Sequence, residues 1–168
     1  PEIDVLIDEL HADDEPEQQP PELDSVPAIA RRGDLWGLGK NFLFCGDALD
    51  PMSYRILMGG VLARMVITDP PFNCPISGHV TVSGKAAHDF AMAKGEMTPA
   101  EFRAFLKTAC QNMADVSMAG SLHFIFQDWR QLAILLSVVA EALTEQKNLC
   151  VWNKQTGSMG SLWRSQHE

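Results

Sequence analysis

Apolar residues in this chain come in short runs separated by glycine, proline and charge, and the spacing within each run predicts an element. Asn41-Phe42-Leu43-Phe44-Cys45 reads as a strand that ends in Gly46-Asp47. Asp50 stands where a helix N-cap belongs, with Pro51 at the first helical position, and Gly59-Gly60 closes the helix after Met58. Met65-Val66-Ile67-Thr68 reads as a buried strand that two consecutive prolines stop, because neither can donate a backbone hydrogen bond. Strand, short helix and strand make a βαβ unit, so these two strands are expected to be parallel. Thr98-Pro99-Ala100-Glu101 is a capping box, followed by Phe102, Phe105, Leu106, Ala109, Met113 and Val116 at helical spacing until Gly120. Leu122 to Phe126 predicts a strand, Asp128 a cap for a helix from Trp129 to about Glu145, and Asn148 to Trp152 a last strand. The expectation is one mainly parallel sheet of strands near 41–45, 65–68, 121–126 and 148–153. Helices near 51–58, 99–118 and 129–144 would cover its faces in an α/β arrangement.

Two stretches break the pattern. Residues 73–97 show no clear period, and a loop of that length in a compact domain is usually functional or mobile. Residues 1–27 hold half of the ten prolines, around Gln18-Gln19-Pro20-Pro21, and read as a disordered linker. The apolar residues Ile3, Val5, Leu6 and Ile7 ahead of it, and a first residue that is proline, lead us to expect a piece of a longer protein with a domain upstream. Residues 28–168 then form the folded domain.

Charge follows the same division. The net charge is −9, but residues 1–30 carry ten acids and no Lys or Arg. The remainder holds 12 acids and 13 bases, so the folded part is near neutral and does not advertise nucleic-acid binding by charge alone. Cys45, Cys74, Cys110 and Cys150 form no Cys-x-x-Cys pair, which argues against a zinc site or a disulfide framework and fits a reducing cytoplasm. No apolar stretch nears membrane-spanning length, and the acidic N-terminus is unlike a signal peptide.

The chemistry concentrates at the end of the Met65–Thr68 run. Asp69-Pro70-Pro71-Phe72 is a stiff turn carrying an acid, carbonyls that no amide of the turn can claim, and an aromatic ring. That set suits a flat base bearing an amine: a carboxylate and a proline carbonyl accept the two amine protons, and the ring stacks on the base. Asp47 precedes Asp69 by 22 residues, one strand-helix-strand unit, which would bring both acids to one rim of a parallel sheet, where ligands of such sheets bind. Asp47 taken alone is equally well a turn residue. Gly37-Leu38-Gly39-Lys40 has no strand before it and reads as a turn. His79, Lys85 and His88 are either solvated loop residues or contacts to DNA phosphates. Lys154 follows the last strand at the same rim, Arg164 lies in a polar terminal stretch, and His123 reads as a satisfied core histidine. Cys74 follows the turn closely, but nothing nearby in sequence marks it as a nucleophile.

Asp69-Pro70-Pro71-Phe72 resembles the catalytic tetrapeptide of S-adenosylmethionine-dependent DNA amino-methyltransferases. Four further stretches resemble the permuted β-class N6-adenine or N4-cytosine enzymes that follow a ParB-like domain: Arg32 to Gly39 with Phe44-Cys45-Gly46-Asp47-Ala48, the loop Gly78-His79-Val80, Phe90 to Ala93 with Gly95-Glu96-Met97, and Lys147 to Lys154. The resemblance spans Arg32 to Glu168 and implies the N-terminal part of a Rossmann-like methylase fold. It implies Asp69, Pro70, Pro71 and Phe72 as the base-gripping residues, and Asp47 with Asp69 at the S-adenosylmethionine site. It further implies double-stranded DNA with a flipped base as partner, a homodimer for the complete protein, no metal, no membrane, and a bacterial or phage cytoplasm as the setting. Restriction-modification is the implied context. The family's Phe-x-Gly-x-Gly loop, which cradles the methionine part of the cofactor, is absent from this sequence, so the 168-residue chain alone is expected to bind the cofactor weakly and not to methylate DNA. The competing expectations are a decayed methylase fold serving as a non-catalytic adaptor, and an enzyme acting on RNA or on a protein glutamine.

Overall fold

The computed structural model describes residues 29–74, 91–158 and 165–167. The chain divides into two units, Pro1–Arg31 and Arg32–Glu168. Among the described residues the second unit is a mixed α/β assembly of small two-stranded sheets and three helices.

Its first element is a hairpin. Strand β1, Leu35–Leu38, pairs antiparallel with β2, Asn41–Phe44, in the register Leu35↔Phe44 to Leu38↔Asn41. Gly39 supplies the positive φ of 62° that a two-residue hairpin turn requires at its first position. The ladder closes with Gly33 N–H to the Cys45 carbonyl at 2.7 Å and Cys45 N–H to the Asp34 carbonyl at 3.0 Å. The turn is Gly39-Lys40 alone: Gly37 and Leu38 belong to β1, so a strand does precede it, and the expected turn over Gly37–Lys40 is corrected to its second half.

Helix α1, Pro51–Met58, has the expected ends: the Asp50 side chain accepts the Met52 N–H, and Gly59 at φ 55° donates to the Arg55 carbonyl. Strand β3, Ala63–Thr68, runs parallel to β4, Ser117–Ile125, with Val66 opposite His123 and Thr68 opposite Ile125. Between them in sequence lies helix α2, Pro99–Asp115, whose capping box forms in full between Thr98 and Glu101. Helix α3, Leu132–Ala142, packs along α2. Phe102, Phe105, Leu106, Cys110 and Met113 of α2 and Leu135 and Val138 of α3 make the buried core, with Val66 of β3 and Ile125 of β4 packed onto it. Glu141 crosses the helix pair at the surface, accepting from Arg103 and, at 2.9 Å, from Lys107. Strand β5, Asn153–Ser158, pairs antiparallel with β6, Ser165–His167.

Four expectations need correction. The strands at 41–45 and 65–68 do not share a sheet: β2 pairs with β1 and β3 with β4. A two-residue turn delivers β1 to β2 at little loop-closure cost, so β2 takes its ladder from the hairpin, and β3 takes its own from β4. The second correction is Gly120, which does not end α2; Asp115 is the last helical residue, and Gly120 at φ 81° lies within β4. Third, Asp128 caps a turn and not the helix. Its carboxylate accepts Arg130 N–H at 2.8 Å, and α3 starts after Gln131, which makes no side-chain cap. Last, residues 148–152 are not a strand, and β5 begins at Asn153. Among the described residues no helix is long and apolar enough to cross a membrane.

Candidate active site

The parallel β3/β4 pair puts the carboxyl ends of both strands on one rim. Phe126 N–H donates to the Thr68 carbonyl at 3.0 Å, so the chain leaving β4 runs beside Asp69. From β3 the rim receives Asp69-Pro70-Pro71-Phe72-Asn73-Cys74; from β4 it receives Phe126-Gln127-Asp128. Asp69 is exposed, while Pro70, Pro71 and Phe72 are half-buried, so the ring is less open than the sequence suggests.

The turn is held at its far end by Asn73. Its Nδ2 donates to the Met97 carbonyl at 2.8 Å, and its Oδ1 accepts Gly95 N–H at 3.1 Å and Met97 N–H at 3.2 Å. Asn73 takes a φ of 52°, which asparagine tolerates better than most residues. The segment it grips is itself tied: the Glu96 carboxylate accepts Ala93 N–H and Lys94 N–H, each at 2.7 Å. Ala93 is 1% exposed and sits in the core cluster. The Glu96 carboxyl lies below its ordinary range chiefly through its backbone hydrogen bonds.

Across the rim, burial pushes the Cys74 thiol up. The Asp128 carboxylate adds to that rise, and the Arg130 guanidinium opposes it. This shift runs opposite to the one that activates a thiol as a nucleophile. Asp128 also pairs with Arg130 at 3.0 Å, and Arg130 lies over the Trp129 ring at 5.0 Å. Phe126 meets Trp152 edge-on at 6.1 Å. Gln127 is buried; its Oε1 accepts Asp128 N–H at 3.0 Å, and its Nε2 has no partner among the described residues.

Asp47 sits elsewhere. It follows β2, and its carboxylate accepts Leu49 N–H at 2.9 Å and an Arg32 guanidinium N–H at 3.1 Å, while its own N–H donates to Ser53 Oγ at 3.2 Å. Gly46 allows this close approach, since a Cβ there would stand 2.2 Å from the Phe44 ring and 2.8 Å from Ser53 Oγ. Asp47 organises the β2–α1 turn, and the argument from adjacent parallel strands, which was to bring it beside Asp69, fails with the sheet pairing. His123 lies on the inner face of β4, with Nε2 at 3.2 Å from Ser121 Oγ, but its Nδ1 is buried without a partner among the described residues, so it is not the fully satisfied histidine expected. Burial pushes its pKa below the ordinary value.

His79, Lys85, His88 and Arg164 lie outside the described residues, as does the side chain of Lys154. A cavity of about 410 Å³, lined by Pro51, Arg55, Leu62, Asn112 and Asp115, opens at the amino end of β3, opposite the Asp69 rim. Among the described residues no cluster of His, Cys, Asp or Glu could hold a metal ion. The sequence reading missed Asn73 and Gln127. An asparagine directly after a rigid turn is a signal for left-handed backbone, but its partners 22 and 24 residues away leave no local trace. No family model, curated protein or solved structure matches this chain.

Proposed function

We propose that this chain carries the base-gripping half of an S-adenosylmethionine-dependent DNA amino-methyltransferase, on a Rossmann-like framework. The observation that carries the reading is the position of Asp69-Pro70-Pro71-Phe72 at the carboxyl end of β3, directly beside the end of a parallel strand. Ligands of parallel α/β sheets bind at that rim. Two prolines leave the carbonyls of the turn unclaimed by its own amides, and Asp69 is exposed next to them. In this reading the Asp69 carboxylate and the Pro70 carbonyl accept hydrogen bonds from the two N–H groups of an exocyclic amine. Those hydrogen bonds draw the nitrogen toward a pyramidal geometry and localise the lone pair that the aromatic ring otherwise delocalises; as the N–C bond forms the sulfonium S–C bond breaks, the amine then loses one proton, and Phe72 holds the flipped base by stacking.

S-adenosylmethionine supplies an electrophilic methyl group when bound. The described residues do not by themselves assemble its cradle. Asp47 is already engaged by Arg32 and Leu49 and follows a strand of another sheet, so its assignment to the cofactor rests on the family resemblance alone.

The test is methyl transfer from radiolabelled cofactor to duplex DNA by the complete protein. Asp69→Ala should abolish transfer with little change in melting temperature, because Asp69 is exposed and outside the core. Phe72→Ala should weaken base capture by about 1–3 kcal/mol, the worth of one base-aromatic stack, while Phe72→Tyr should be nearly silent. Full transfer by Asp69→Ala would refute the assignment.

A further inference from the structure

We propose that Asn73 is a positioning residue that sets the Phe72 ring, by locking the Asp69–Phe72 turn to the Ala93–Met97 segment. The role rests on the methyltransferase reading; the geometry does not. Phe72 and Asn73 are adjacent, so whatever fixes the Asn73 backbone fixes one end of the Phe72 peptide, while Pro70 and Pro71 stiffen the other. Asn73 is fixed three times over, by its Nδ2 on the Met97 carbonyl and by the Gly95 and Met97 amides on its Oδ1.

The anchor it uses is rigid. Ala93 is buried in the core at a φ of 53°, and Glu96 holds the Ala93 and Lys94 amides. Met97 packs on the same core, and Thr98 starts the capping box of α2. The clamp therefore refers the Phe72 turn to the α2 core, and not only to β3. A stacking ring must be held to within a fraction of an ångström and some tens of degrees to pre-form a base slot, and a turn attached at one end only would not hold it so.

Two variants separate the side chain from the backbone. Asn73→Gly keeps the left-handed backbone and removes all three bonds. Asn73→Asp keeps an acceptor for the two amides and sets a carboxylate oxygen against the Met97 carbonyl. The full chain, labelled with 4-fluorophenylalanine, should give one ¹⁹F resonance for each of its eight phenylalanines, and Phe72→Tyr identifies the one to follow. We expect the Phe72 resonance to move toward its unfolded position in Asn73→Gly, and by less in Asn73→Asp, while those of Phe102, Phe105 and Phe126 hold. An unmoved Phe72 resonance, with faster hydrogen exchange at the Gly95 and Met97 amides, would overturn the proposal and leave Asn73 a purely structural tie. In the transfer assay Asn73→Gly should lower kcat by about tenfold to a hundredfold with KM for DNA nearly constant. A parent protein without transfer activity counts against the methyltransferase reading alone, since the fluorine spectra decide the role of Asn73 independently.

Discussion

A single thiol shows how place in the fold sets chemistry at the residue scale. Cys110 is 2% exposed, and burial pushes its pKa up to about 11. The thiolate is the reactive species, so Cys110 is protected twice, by access and by ionisation. Cys45 and Cys150 are exposed, and Cys74 is half-buried with its thiol also pushed up. Iodoacetamide at pH 8, followed by peptide mass spectrometry, should label Cys45 and Cys150 first and Cys74 more slowly. Cys110 should react only once the protein unfolds; its labelling at the rate of Cys45 would contradict the packing of α2. Helical spacing sets Cys110 on the face of Leu106 and Met113, and the remaining difference among the four cysteines lies in the neighbours that folding supplies.

At the scale of elements, the three helices are held in three ways. Helix α1 has a formed cap at each end and no buried residue; α3 has no side-chain cap and is held by Leu135, Val138 and the Glu141 bridges to α2. Helix α2 combines the capping box with most of the core. Thr98→Ala should cost about 1 kcal/mol, read as a lowered melting temperature, because the Glu101 N–H loses its acceptor. The box also carries a pH dependence. The Glu101 carboxyl lies below its ordinary range chiefly through the Thr98 N–H it accepts. A depressed carboxyl stabilises the fold above its unfolded pKa of about 4.3, and that contribution is lost as pH falls through the lower folded value. The melting-temperature gap between the parent and Glu101→Gln should therefore narrow as the pH falls from 7 to below 4. A gap that widened would show that the carboxylate form is not the one the box uses.

At the scale of the molecule, the described residues leave one apolar sheet face exposed. Met65 and Ile67 of β3 and Leu122 and Phe124 of β4 lie opposite each other and are 57%, 64%, 51% and 44% exposed. Val66 and Ile125 turn the other way, onto the core. An exposed apolar face of this kind favours self-association. Sedimentation velocity over a concentration series should show the parent associating. The double change Ile67→Thr with Leu122→Thr, which keeps β-compatible side chains, should suppress association without lowering the melting temperature. Equal association by both proteins would place the sticky surface elsewhere, for example on the exposed Leu35–Leu38 and Phe42–Leu43 hairpin.

The sequence by itself determined what neighbours within a few residues decide. Asp50-Pro51 and Gly59 delimit α1, Thr98 to Glu101 starts α2, and Pro70-Pro71 ends the strand and creates the Asp69 turn. Caps, prolines and glycines act through backbone groups one to four positions away, so their effect can be read in order along the chain. Tertiary structure alone decided which strands pair, which removed Asp47 from the β3 sheet and gave β2 to a hairpin. It also delayed α3 to Leu132, tied Asn73 to Met97, and left His123 Nδ1 and Gln127 Nε2 buried without partners among the described residues. Each of these depends on free energies summed over residues distant in sequence: a ladder against its loop-closure cost, or a side-chain bond against the entropy of holding two segments together. Such sums have no signature at any one position, which is why the turn that carries Asp69 was legible and the clamp that holds it was not.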